Sequence, residues 1–487
     1  MVTTPTTRAR EPRGDFQACF AGWLSLCMLG AASVANADLQ FGGQVAAGLA
    51  RTDNLTLARS DKESQTIYQL VPSFTLAQQS TRVTSSASYR VEGYRYSERQ
   101  DSSVYDTLDG RLSVALDPNN FFLELGATRG QTAVSPEDPI PTSNILLSRN
   151  RADRDETFFG PTFQYPVGSS ATVRGTYRRA HVQYGQVDPA FASLVRSFDT
   201  DIFTTSVDNY RKLRGFTWAA RYSSDKADYD IYAPYEFKQA SVEFGGWIGP
   251  RMRVFASGGK ESPWDMPFVT TLEDTFWEAG FTTQNRERFN AQVAVGERTF
   301  GSSRRASVVM NFGRGSSLEL TYSEQPTTQG RNPYWRITPL LLENNEDLLT
   351  RAGSPERYLS KLSRAALTFE LSRTSLSLAI FDESREDRIR LDGTPLGSES
   401  QNGARLRASR RLGAHTELVL SAWRNHWTLA TVGERDLDIT SLTANYAASA
   451  RTRFSLAYEQ SQEDSKDSAL GRDYVVRVLS FLVTRMF

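Results

Sequence analysis

The sequence predicts an all-β protein: a transmembrane, antiparallel, up-and-down β-barrel of about 22 strands, with short periplasmic turns and long extracellular loops. Three observations carry that prediction. Short runs of period-two alternation recur along the chain, the links between them alternate between tight and long, and the last residues form an alternating apolar run that ends on Phe487.

The N-terminal segment comes first. Arg8, Arg10 and Arg13 precede an apolar stretch from Phe16 through Trp23, Leu24 and Leu29 to Val34, followed by Ala35-Asn36-Ala37 and Asp38. Basic, then apolar, then small residues at an A-x-A site is the order of a secretory signal peptide, which predicts residues 1–37 as leader, with Ala35 and Ala37 as the A-x-A residues and cleavage after Ala37. A single membrane anchor is the competing reading, because the apolar run approaches the lower length limit of a spanning helix. Gly22, Gly30 and the A-x-A end suit a cleaved segment better. A lipoprotein is disfavoured, since Leu26 before Cys27 is too large for a lipobox.

Residues 38–487 then form a single barrel domain. Both cysteines, Cys19 and Cys27, fall in the leader, so disulfide frameworks and thiolate metal sites are excluded from the domain. Without the leader the chain carries 53 basic against 54 acidic residues, which gives no electrostatic case for nucleic acid. Seven lysines stand against 49 arginines over the whole chain; the bias fits anion or sugar contacts and equally fits codon composition.

The strands are read from alternation. In SLELTYSEQ, Leu318, Leu320 and Tyr322 oppose Glu319, Thr321 and Ser323. Phe289, Ala291, Val293 and Val295 oppose Asn290 and Gln292; Ala365, Leu367, Phe369 and Leu371 oppose Thr368 and Glu370. Leu376, Leu378 and Ile380 alternate with Ser377, and Phe454, Leu456 and Tyr458 with Ser455 and Glu459. Period two means strands with one apolar and one polar face. A secreted sandwich or propeller would share that pattern.

The links separate these readings. ASART, RLGAH, SRTS, GRGSS, QNRER, WIGPR, YRKLRG, YPVGSS, LDPNN and QQST are tight. Between them fall long segments at 460–472, 382–398, 325–361, KESPWDMPFVTT, ADYDIYAPY, QVDPAFASLVRS and 132–154. Links sorted by parity are what a bacterial outer-membrane barrel shows, and a soluble sandwich has no reason to sort them. The count lies between roughly 18 and 26 strands. The first strand begins almost at Leu39, leaving no room for a plug domain before it.

Aromatic content of 11% supports interfacial girdles, because Trp and Tyr rings sit where one end is apolar and the other wet. Tyr89, Tyr165, Trp218, Trp247, Trp277, Tyr322, Trp423, Tyr446 and Tyr458 are the candidates near strand ends. At the C-terminus, Leu479, Phe481, Val483 and Phe487 resemble the signal that outer-membrane proteins present to the barrel assembly machinery. A closing strand must pair with the first, since an unpaired edge cannot exist in lipid. Arg485 departs from that pattern, and its stem can snorkel.

Several stretches in shared order resemble the outer-membrane β-barrel family associated with the PEP-CTERM and exosortase systems: ARTDNLTLA from Ala50, FFGPTFQYPVG from Phe158, TFWEAGF from Thr275, VGERTFGSS from Val295 and LELTYSEQPTT from Leu318. The resemblance spans most of residues 38–487. It implies a role in extracellular polysaccharide export or surface display and carries over no catalytic residue.

An enzyme is not expected. The three histidines, His181, His415 and His426, form no H-E-x-x-H, and the chain has no G-x-S-x-G elbow or P-loop. No cofactor or metal is implied. If the apolar faces meet lipid, Arg90, Glu92, Arg111, Glu124, Glu243, Glu278, Glu319, Arg364 and Glu370 line the lumen. Such a lining can hydrogen-bond sugars and tune selectivity, or serve as salt-bridge filler that stiffens the wall. The segment 325–361, with Pro333, Trp335, Pro339 and Pro355, either folds inward as a constriction or outward as a surface site.

The expected protein is therefore a non-enzymatic channel or export component for extracellular polysaccharide in a Gram-negative outer membrane. The alternatives are a structural barrel that retains surface polymer or proteins, and an outer-membrane lipase or glycosidase. Its expected partners are membrane lipid, lipopolysaccharide and the assembly machinery, together with polysaccharide and a periplasmic export complex, and no nucleic acid.

Overall fold

The computed structural model describes residues 38–99, 101–192, 194–210, 215–230, 234–263, 271–285, 288–313, 315–328, 356–391, 393–466 and 473–487. The leader with Ala35 and Ala37, and Pro333, Trp335, Pro339 and Pro355, lie outside the described residues.

Alternation becomes strand after strand: β1 Asp38–Thr52, β2 Gln65–Gln79, β3 Val83–Tyr96, β4 Ser102–Asp117, β5 Phe121–Thr132, β6 Ala152–Val167, β7 Ala171–Gly185, β8 Phe198–Asp208, β9 Phe216–Tyr229, β10 Tyr235–Ile248 and β11 Met252–Glu261. The second half continues with β12 Asp274–Asn285, β13 Phe289–Arg298, β14 Gly301–Gly313, β15 Ser316–Thr328, β16 Glu356–Glu370, β17 Thr374–Arg390, β18 Glu399–Arg411, β19 Thr416–Leu429, β20 Gly433–Ser449, β21 Thr452–Ser465 and β22 Tyr474–Met486. Each strand pairs antiparallel with the next, and β22 returns to β1. Closure satisfies every ladder edge, which is the condition for backbone to cross lipid.

The seam runs from Gln44↔Met486 to Thr52↔Val478, and the Phe487 N–H extends it by donating to the Gly43 carbonyl at 2.8 Å. At its centre the two backbones come so close that a Cβ on Gly48 would stand 1.9 Å from the Phe481 carbonyl oxygen. Only glycine fits there.

Register assigns the faces, because directly opposed residues share one side of a sheet. On the outer wall lie Phe41, Tyr68, Leu70, Phe74, Phe244, Trp277, Ile380, Leu442, Leu456 and Phe481, all large, apolar and exposed. Rings continue from strand to strand: Tyr446 stacks on Phe454 at 6.5 Å and Phe454 on Phe481 at 6.2 Å. This apolar belt gathers toward the short-turn end. In β17 the outer face reads Leu376, Leu378, Ile380 and then Asp382, Ser384, Glu386; in β21 it reads Phe454, Leu456, Tyr458 and then Gln460, Gln462, Asp464. A closed barrel with such a belt is an outer-membrane protein, seated with its turns toward the periplasm.

Short and long links keep their parity. The ten turns on the periplasmic side hold two to seven residues and the eleven outer links two to 27. Several segments expected as loops are strand, however: β17 runs on to Arg390 and β21 to Ser465, while the outer links at 299–300 and 430–432 are tight. Beyond the lipid both faces of a strand are polar, so the alternation fades although the ladder continues. Of the interfacial aromatics, Tyr89, Tyr165, Trp218, Trp277, Tyr322, Tyr446 and Tyr458 share the outer face, whereas Trp247 and Trp423 face inward.

The main apolar core is inside the barrel, toward the outer end. Ile67, Tyr96, Trp423, Trp427, Leu437, Ile439, Tyr474 and Val476 from the wall pack with Ile140, Ile145 and Leu146 of the β5–β6 link.

Candidate functional site

All nine residues named from the sequence as lumen-facing lie, by register, on the inner face. Their surroundings divide them. Glu92 is buried against Arg90 at 2.9 Å, Glu243 against Arg221 at 2.8 Å, and Glu278 against Arg305 at 3.1 Å. Arg111 approaches Asp109 at 3.8 Å. Glu124, Glu319 and Glu370 are exposed on the inner wall, and Arg364 on β16 is half-buried. The register does not gather the nine into one cluster; they are spread from β3 to β16.

The feature that shapes the interior is the β5–β6 link, residues 133–151. Link parity predicts 132–154 as a long outer loop and leaves the inward or outward path of 325–361 open. Instead, 133–151 folds into the barrel. Its apolar Ile140, Ile145 and Leu146 have no strand face to occupy and bury themselves in the core already described.

Polar contacts fix the path. Asn150 staples the link to itself: its side-chain oxygen accepts from the N–H groups of Val134 and Ser135 at 2.9 and 2.8 Å, and its amide donates to the Ser135 and Asp138 carbonyls at 2.7 and 3.1 Å. The far end is bonded to the wall. Tyr474 Oη donates to the Ile140 carbonyl at 2.8 Å, Tyr96 Oη to the Ile145 carbonyl at 3.2 Å, and the Leu147 N–H to the Leu55 carbonyl at 2.9 Å. Carboxylates of the wall receive the rest: Glu92 from Asn144 at 2.9 Å, Glu459 from Thr142 at 3.0 Å and Glu463 from the Ile140 N–H at 3.3 Å. Arg435, fully buried and paired with Glu463, donates to the Pro136 carbonyl. These contacts fall on β3, on β20–β22 and on the β1–β2 link, so the link crosses the lumen as a chord and fills one sector.

Outside that sector, the inner face of β7–β15 carries Thr176, Thr204, Ser206, Ser223, Ser241, Gln292, Ser307 and Thr321, half-buried or exposed. Near the periplasmic mouth a cavity of about 440 Å³ is lined by Tyr210, Arg221, Glu243, Trp247 and Arg253 among others. Glu243 there accepts from Tyr210, Arg221 and Arg253 together. Sequence reasoning found Glu243 and missed its partners, because a partner set is defined by cross-strand register. For the inserted link a signal existed: NILL at 144–147 and three prolines at 136–141 are poor material for a solvated loop.

The histidines take no part in the interior. His181 and His426 are on the outer face, at 2.8 Å from Asp199 and 3.0 Å from Asp436, and His415 sits in a periplasmic turn. Ser421, near His426 along the chain, faces the opposite side of the wall. Among the described residues, no group of three or more His, Cys, Asp or Glu side chains is placed to hold a metal ion.

No protein-family model matches the chain, and no curated protein matches it. Among solved structures it is similar to the siderophore receptor PirA from Acinetobacter baumannii, at 8% identity and a TM-score of 0.49, over 92% of this chain and 80% of that one. It is also similar to FpvAI in its complex with pyocin S2, at 9% identity and 0.47 over 92% and 70%. A third likeness is to OccK5 from Pseudomonas aeruginosa, at 9% identity and 0.33 over 92% and 98%. Likenesses this distant say nothing of cargo, and the barrel class rests on the strand order and the belt. The molecule is a closed, 22-stranded outer-membrane β-barrel.

Proposed function

We propose that the barrel is a conduit for a hydrophilic polymer and that it serves the export of extracellular polysaccharide in a PEP-CTERM/exosortase-linked system. One observation carries the conduit reading. The inserted link occupies one sector, and the β7–β15 wall facing it is lined through its middle and toward the periplasm with hydroxyl, amide and charged side chains, its apolar cluster of Val182, Phe198, Ala227, Tyr229, Tyr235 and Leu391 being confined to the outer end. Hydroxyl and amide groups exchange hydrogen bonds with sugar hydroxyls at little net cost, so a glycan can move along them without being trapped. The link to the polysaccharide system comes from the sequence resemblance.

A structural barrel that only retains surface polymer is the second reading, and the dense anchoring of 133–151 favours it by narrowing the lumen. A barrel hydrolase has the weaker support, since the histidines lie outside the interior. Deleting the gene and locating the polysaccharide tests the proposal: periplasmic accumulation is the expected result. Normal release with loss of surface retention selects the second reading instead. In planar bilayers the purified protein is expected to conduct, and absence of conductance even after excision of 136–148 overturns the conduit.

A further inference from the structure

Five ion pairs of the inner wall share one arrangement. Arg90, Arg174, Arg178, Arg221 and Arg305 have side-chain exposures of 41, 42, 45, 41 and 43%. Their partners Glu92, Asp208, Glu156, Glu243 and Glu278 are exposed by only 2, 4, 18, 5 and 11%. The carboxylates lie beneath and the guanidinium groups face the lumen. On the outer wall the order is mixed: the acid is the more exposed partner in Lys226–Asp228 and Lys361–Glu386, and the base in Arg179–Asp199 and Arg424–Asp438.

Three of the five stand together on the open wall. Register places Gln164, Arg174, Ser206, Arg221 and Ser241 side by side in one row across β6–β10. Arg174 and Arg221 are two strands apart, hence about 10 Å, with one serine between them. Arg178 stands four residues further along β7, about 13 Å from Arg174. The dip between Arg174 and Arg221 is a cavity of about 260 Å³ whose lining includes Thr176, Thr204, Ser206 and Ser223.

The charges around it do not cancel at the surface. Glu243 is shared by Arg221 and Arg253, and Glu156 by Arg154 and Arg178. Asp208 and Asp225, the other acids of this face, are buried. Arginine positions are also held. Arg174 Nε donates to Gln164 at 3.0 Å, and Arg178 lies 4.0 Å over the Phe158 ring. A guanidinium fixed in this way presents a ready fork to a planar oxyanion.

We propose that this trough binds an anionic saccharide: the guanidinium groups of Arg174 and Arg221 receive its acid groups, and the hydroxyls of Thr176, Thr204, Ser206 and Ser223 exchange hydrogen bonds with its ring hydroxyls. The proposal rests on the conduit reading and names the class of polymer it would carry. Carboxylate, sulfate and phosphate esters share the required oxyanion chemistry, so the source is an arm of the test.

The experiment uses the full barrel in planar bilayers, with current block measured for an oligouronate, a sulfated oligosaccharide and a neutral maltooligosaccharide of equal length. The wild type is expected to be anion-preferring and blocked by one of the charged sugars at least about tenfold below the neutral one, the equivalent of one charge-assisted hydrogen bond. R174Q/R221Q is expected to lose that margin and R174K/R221K to keep part of it. Which charged sugar blocks identifies the acid group. Equal block by charged and neutral sugars in a conducting wild type overturns the trough and leaves the conduit standing. If no current flows, calorimetric titration of the detergent-solubilised protein with the same sugars decides separately: preference for a charged sugar supports the trough, and equal or absent binding overturns it.

Discussion

Asn150 shows how one side chain can hold an irregular segment in place. The link 133–151 has no ladder of its own, so its backbone polar groups must find partners elsewhere. The Asn150 amide supplies them on both its edges. Asn150→Ala removes these at once and leaves two buried N–H groups unsatisfied, at about 1–3 kcal/mol each. The expected outcome is a link that detaches without loss of the barrel, seen as higher conductance and new protease cleavage within 136–148. Arg149 makes a second tie, to Asp188 of the β7–β8 link at 3.0 Å. The Arg149 guanidinium and then the Ala190 N–H hold the Asp188 carboxyl below its usual range. A depressed carboxyl stabilises the folded arrangement above its ordinary value and loses that contribution as pH falls through the depressed one. The amide protection factors of the two links, which take out the pH dependence of intrinsic exchange, are therefore expected to be flat from neutral pH down to about 4 and to fall below it. Asp188→Asn at neutral pH should reproduce the acid behaviour, and an unchanged exchange rate in that variant refutes the tie.

At the scale of elements, the closing pair is one of the places where two strands meet too closely for any side chain. Gly48 lies on β1 against the β22 backbone, and any Cβ there collides with the Phe481 carbonyl. Gly48→Val is expected to block closure and abolish the heat-modifiable band on unboiled gels. The same change at Gly43, where the nearest atom is a Phe74 ring carbon at 3.8 Å, should be tolerated. How legible the elements were follows from the same physics. Alternation in the belt exposed strand count, closure and the inner face at once, since period two fixes all three where one side is oily. Above Ile380 on β17 or Tyr458 on β21 the outer face turns polar, and the signal ended before the strand did. The inward path of 133–151 was written only in Ile140, Ile145 and Leu146, residues without a strand to belong to. The trough of Arg174 and Arg221 was not legible at all: those residues are 47 positions apart in the chain and become neighbours through Ser206.

As a whole molecule, the barrel is a wall stiffened by paired charges, with 133–151 filling one sector and a smaller apolar cluster around Leu391 at the outer end. Excision of 136–148 with a short Gly-Ser bridge should raise conductance severalfold while leaving the folded, heat-modifiable barrel intact. The wall is complete without the link, because every strand edge is paired. If the excised protein fails to close, the link belongs to the scaffold rather than to the passage.

The continuation of β17, β20 and β21 past the oily belt has a topographic result. The rim is lifted away from the lipid like a chimney above a roof. The outer mouth therefore opens above the level of the lipid rather than flush with it.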